Sequence, residues 1–108
     1  MPRSSRRDAP PALTVTYWRD IPAQVSVAAG RRPLAKVQLP ARFERAIDAA
    51  AMRAGLAGTD DYLAHWRRAE PTPAHGDPEE EARAAASALE KAYPNTRLAT
   101  LIRNGGRE

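Results

Sequence analysis

Leu13, Val15 and Tyr17 alternate with Thr14, Thr16 and Trp18, the period of two that sends successive side chains to opposite faces of a strand. Arg19-Asp20-Ile21-Pro22 interrupts this run, because proline has no N–H for a ladder and restricts the residue before it. A second alternation sets Val25 and Val27 against Gln24 and Ser26. Gly30-Arg31-Arg32-Pro33 reads as a turn, and Ala35, Val37 and Leu39 then alternate with Lys36 and Gln38 in a third strand. The short connection between the second and third runs predicts a hairpin. After Pro40 the period changes. Phe43, Ala46, Ile47, Ala50, Ala51 and Ala54 recur at the spacing of an amphipathic helix, with Arg42, Glu44, Arg45, Asp48 and Arg53 on its outer side.

Gly55 stands where a helix C-cap glycine belongs. Thr59 is a natural N-cap for a second helix, with Asp60 and Asp61 in its first turn. That helix is expected to turn Tyr62, Leu63 and Trp66 inward and to end near Arg67 and Arg68. Residues 70–78 have the composition of a linker. A third helix opens at Pro78 after Asp77, with Glu79, Glu80 and Glu81 in its first turn and a modest face of Ala82, Ala85, Ala86, Leu89 and Tyr93. Pro94 stops it, and a short last helix carries Leu98, Leu101 and Ile102. The pattern predicts an α+β domain: a small antiparallel three-stranded sheet followed by helices packed on one face.

At 108 residues the chain is one domain at most. Residues 1–12 mix Arg3, Arg6 and Arg7 with prolines and read as a disordered basic arm, and residues 104–108 read as a flexible tail. The domain is therefore expected over 13–103, with 13–69 holding the sheet and two helices, 70–78 the linker and 79–103 the C-terminal helices. The net charge is +4, carried almost wholly by arginine, since Lys36 and Lys91 are the only lysines. That balance makes a polyanionic partner a minor reading. No apolar run approaches the roughly 18 residues of a membrane span. The N-terminus lacks the apolar core of a secretory signal, and the expected location is the cytoplasm.

Candidate chemistry is sparse. There is no cysteine, and His65 and His75 form no paired metal motif. Asp60, Asp61 and Glu79 to Glu81 are explained by helix N-termini, and Ser26 and Ser87 have no base at motif spacing. No catalytic constellation, cofactor motif or metal site is recognised, and an enzyme is not the expected reading. The best candidate surface is a partner contact made of Trp18, Arg19, Asp20 and Gln24, with Arg31, Arg32 and Lys36 as a basic rim. Trp, Tyr and Arg are the residues that anchor interfaces, although Arg19 and Asp20 also serve to cap their own turn. A competing plan runs from Ala35 to Arg68: strand, proline, helix, short loop, helix. It looks like a ribbon-helix-helix DNA-binding dimer in which Lys36 and Gln38 would read bases from a two-stranded ribbon. The preceding strand, able to pair within the chain, and Asp60-Asp61, repelling phosphate, count against it.

The block Thr14-Val-Thr-Tyr-Trp-Arg-Asp-Ile-Pro-Ala-Gln-Val25, with Ala35-Lys-Val-Gln-Leu39, Phe43-Glu-Arg-Ala-Ile-Asp48, Ala51-Met-Arg-Ala-Gly-Leu56 and Asp61-Tyr-Leu-Ala-His-Trp-Arg67, resembles the small bacterial "virulence factor" domain family. That domain also occurs fused in conserved virulence factor C. The resemblance covers about residues 13–103 and brings no catalytic residues with it. It implies a non-catalytic accessory or protein-interaction domain. The partner it implies is another protein of one-carbon, folate or corrinoid methyl-transfer metabolism, such as a methylenetetrahydrofolate reductase-like or methyltransferase enzyme.

Overall fold

The computed structural model describes residues 9–108, so most of the expected basic arm lies outside the described residues. The α+β expectation holds: strands β1 (Pro11–Trp18), β2 (Ile21–Ala29) and β3 (Arg32–Gln38) form an antiparallel sheet that helices follow. Val15 pairs with Val25 and Val25 with Val37, while Leu13 pairs with Val27 and Val27 with Ala35. Paired residues share a face, so these side chains form one apolar face. The other face carries Thr14, Thr16, Gln24, Ser26, Lys36 and Gln38.

Helix α1 (Ala41–Arg53) buries Phe43, Ala46, Ile47, Ala50 and Ala51, the stripe its spacing predicts. It ends in paired bonds from Gly55 N–H to the Met52 carbonyl and from Leu56 N–H to the Ala51 carbonyl. That Schellman closure places Gly55 at φ 74°. Helix α3 (Pro78–Ala92) lies on β2 and β3 and buries Ala82 and Ala86 against the apolar face. Its alanines let it approach closely, which is why so thin an apolar face suffices. Helix α4 (Asn95–Arg103) packs on α1 through Leu98 and Leu101. The Asp77 carboxylate accepts from the Glu80 N–H at 3.0 Å, the expected cap. Asp77→Ala should cost about 1 kcal/mol, read as a lower urea midpoint with an unchanged m-value.

The differences from expectation cluster in the second half of the sheet. Among the described residues the sheet has five strands, not three. The second helix, α2, stops after Asp60–Ala64, and Trp66–Arg68 turns back as β4 beside β1. Trp66 then pairs with Trp18, Tyr17 with Arg67 and Thr16 with Arg68. Tertiary pairing here overrides a short local helical preference. Within the expected linker, Thr72–Pro73 forms β5 against Ala12 and Leu13, and Ala74 is buried. β1 also begins at Pro11, inside the expected arm.

Pro22 stands inside β2, not before it. The register shifts there, so that Thr16 pairs with Gln24 and Tyr17 with Pro22, leaving Ala23 as an extra residue. A bulge is where a strand tolerates proline. The segment 104–108, expected as a tail, is docked. Gly105 and Gly106 are buried and close α4 with a second Schellman pair, Gly106 to Leu101 at 2.7 Å and Gly105 to Ile102 at 3.0 Å. The ribbon-helix-helix plan does not form, because its second helix is only five residues long and its strand is already paired to β2 within the chain.

Candidate functional site

The expected contact residues separate into distinct places. Trp18 is fully buried. Its indole stacks on Tyr62 at 5.6 Å between centroids and donates Nε1–H to the Tyr62 carbonyl at 2.8 Å. An enclosed side chain of this kind cannot anchor a partner, so Trp18 leaves the candidate surface and joins the core. Arg19 takes a left-handed conformation at φ 54°. Its Nη1 donates to the Gly105 carbonyl at 2.9 Å and its Nη2 meets His65 Nε2 at 3.2 Å. Arginine offers no lone pair, so in this contact His65 Nε2 is the acceptor. Desolvation, and then the neighbouring Arg107, hold the Arg19 guanidinium below its ordinary pKa, and its Nε is buried without a partner.

Asp20 accepts the Glu108 N–H at 2.7 Å and an Arg67 N–H at 3.4 Å, while its own N–H donates to the Gly106 carbonyl at 2.8 Å. Arg19 and Asp20 therefore clamp the C-terminal segment to the β1–β2 turn. Arg31 and Arg32 sit at the other hairpin turn, separated from them by the nine residues of β2, about 27 Å at strand rise. Gln24 and Lys36 lie between, on the polar face of the sheet. A shallow depression of about 480 Å³ over Thr14, Ser26, Ala28, Arg68 and Glu70 marks that face.

Many of the arginines are tied inside the fold. Arg42 donates to the carbonyls of Tyr93 and Glu90, Arg97 to that of Ala92, and Arg67 to that of Arg19. Each also lies over an aromatic ring, Phe43, Tyr93 and Tyr17 in turn, at 3.9–4.5 Å. These contacts join α1, α3, α4 and the sheet. Among the described residues no group of three or more His, Cys, Asp or Glu side chains is placed to hold a metal ion. No helix of the described residues is long and apolar enough to cross a membrane.

The exposed features that sequence reasoning missed lie around α1, α2 and β4. Met52, Leu63 and Trp66 are 69%, 65% and 36% exposed. Leu63 and Trp66 were expected inward, but a helix as short as α2 has no room for an inward stripe beyond Tyr62. Tyr62 and Trp66 meet edge to face, 6.2 Å apart at 88°. Beside them, α1 and the end of β3 frame a cleft of about 130 Å³ lined by Gln38, Leu39, Glu44, Asp48, Tyr62 and Trp66. A second, more open hollow of about 460 Å³ shares Asp48 and Tyr62 and reaches Met52 and Ala57. Burial raises the Tyr62 pKa above its ordinary value, and Asp48 adds to the rise. Glu44 and Asp48 stand one helical turn apart, where like charges oppose each other. That spacing of Glu44 and Asp48 was the available sequence signal.

No curated protein and no solved structure matches this chain. The model of the family described as "Virulence factor" matches residues 16–102, a span running from within β1 to the last turn of α4 and including the aromatic cleft. The chain belongs to the virulence factor family.

Proposed function

We propose that this domain works as a non-catalytic accessory module that binds another protein through the α1–α2–β4 side. One observation carries the reading. Among the described residues the large apolar side chains left exposed, Met52, Leu63 and Trp66, all come from the segment 52–66; Met52 and Trp66 each share a hollow with Tyr62, and Leu63 follows Tyr62 in the chain. Single exposed apolar residues are ordinary, but a connected set marks a contact surface. Glu44 and Asp48 line the cleft between Tyr62 and Trp66, so a partner with a basic, apolar-bearing segment complements it in charge. The family resemblance puts one-carbon enzymes, methylenetetrahydrofolate reductase-like or methyltransferase, first among the partners to test.

The test is purification of the tagged chain from its host after nuclease treatment, with quantified stoichiometry. A stoichiometric partner is expected with the native chain and with Lys36→Glu, on the polar sheet face. It should be lost from Leu63→Asp and Met52→Asp, both at solvent-exposed positions where stability should change by no more than about 0.5 kcal/mol. Equal recovery by all four proteins would overturn the choice of surface. Recovery of nucleic acid alone, when nuclease is omitted, would overturn the protein-binding reading.

A further inference from the structure

The geometry points to the cleft between α1, β3 and β4 as a binding site for an organic cation, a guanidinium or alkylammonium head group. The inference rests on reading this side of the molecule as a contact surface and assigns the chemistry its deepest part accepts. Tyr62 and Trp66 both line the cleft and meet edge to face at 88°, while Trp18 covers one face of Tyr62. A cation seated in the cleft would rest against these two rings, and aromatic rings attract ammonium and guanidinium groups.

The charge follows the same logic. Glu44 and Asp48 line the cleft, and neither belongs to any of the ion pairs formed among the described residues, which join Arg67 to Asp20, Arg83 to Glu79 and Arg97 to Glu108. The chain carries 17 lysines and arginines against 13 carboxylates. Even so, these two carboxylates face a cavity and stand in the unfavourable i, i+4 relation. A bound cation would relieve that repulsion and interact with both carboxylates at once. Leu39 and the ring walls would cover the apolar stem that carries the charge. The volume, about 130 Å³, admits a head group and falls below the roughly 300 Å³ at which pockets begin to enclose a whole drug-sized ligand.

The Trp66 and Trp18 indole N–H signals separate the site from the core in a two-dimensional NMR titration. Arginine amide and tetramethylammonium serve as free cations, and a Leu-Arg-Leu peptide blocked at both ends serves as the side-chain form. Saturable movement of the Trp66 signal, with Trp18 unmoved, is expected. Glu44→Gln with Asp48→Asn, or Trp66→Ala followed through the Tyr62 backbone amide, should weaken binding at least about tenfold, or 1.4 kcal/mol. Glu79→Gln on α3, outside the cleft lining, should leave it unchanged. Saturation by free cations as well as peptide identifies a small-molecule ligand, and saturation by peptide alone identifies a side chain of a partner. No saturation with any probe, or binding that survives loss of both carboxylates, overturns the assignment. Partner capture that persists while the cleft binds nothing removes only the cation site. Cation binding without any captured partner removes only the interaction reading.

Discussion

Replacing Gly106 with alanine should destabilise the domain by about 2–4 kcal/mol, with left-handed backbone strain and overpacking both contributing. The φ of Gly106 is +95°, and a Cβ built there would fall 2.7 Å from the Trp18 ring. Trp18 cannot yield, because its ring is fully buried and stacked on Tyr62 and its Nε1–H is held by the Tyr62 carbonyl. Backbone movement would break the bond from Asp20 N–H to the Gly106 carbonyl. Gly55→Ala is the comparison. Gly55 also has a positive φ, +74°, but nothing lies within 4 Å of its missing Cβ. Its cost should be the backbone strain alone, about 1–2 kcal/mol. Urea unfolding of the two variants beside the native chain measures both values. A Gly106→Ala cost no greater than that of Gly55→Ala would mean that residues 104–108 are not packed as described.

That contrast shows what the chain reveals before folding and what it does not. The apolar stripe of α1, its glycine stop, the Asp77 cap and the alternation of the first strands are local patterns, each readable within a few residues. The docked C-terminus is not local. Asn104-Gly105-Gly106 at a chain end looks like a tail, and only the Trp18 ring, 88 residues earlier in the case of Gly106, explains why glycine is required there. β4 and β5 are hidden for the same reason. Three residues of Trp66-Arg67-Arg68 hold too little periodicity to announce a strand, and they become one because β1 offers an unpaired edge. The candidate surface turns on the same segment. A single helix over residues 59–68 puts Trp66 inside and leaves Trp18 as the free aromatic. The strand reverses the two and moves the exposed chemistry from the β1–β2 turn to the cleft.

Trp18→Ala should therefore destabilise the domain strongly instead of merely weakening a complex. Truncating a buried tryptophan costs about 3–5 kcal/mol, a large share of the roughly 5–15 kcal/mol that stabilises a domain of this size. The change opens a cavity between Tyr62 and Gly106 and leaves the Tyr62 carbonyl without its indole donor. Trp18→Phe keeps most of the ring volume and should cost about 1–3 kcal/mol, the sum of one lost hydrogen bond and a smaller void. Trp66→Ala, at a position 36% exposed, should cost about 1 kcal/mol. Denaturant midpoints order the three variants, and partner capture by the folded fraction completes the comparison. Trp18→Phe should retain the partner, whereas Trp66→Ala should lose it while remaining folded. The reverse result, a well-folded Trp18→Ala that no longer binds, would return the contact surface to the β1–β2 turn. The two tryptophans face each other across β1 and β4, so both variants perturb the same stretch of sheet. Their burial differs: Trp18 is enclosed in the core, and Trp66 is left 36% exposed on the cleft.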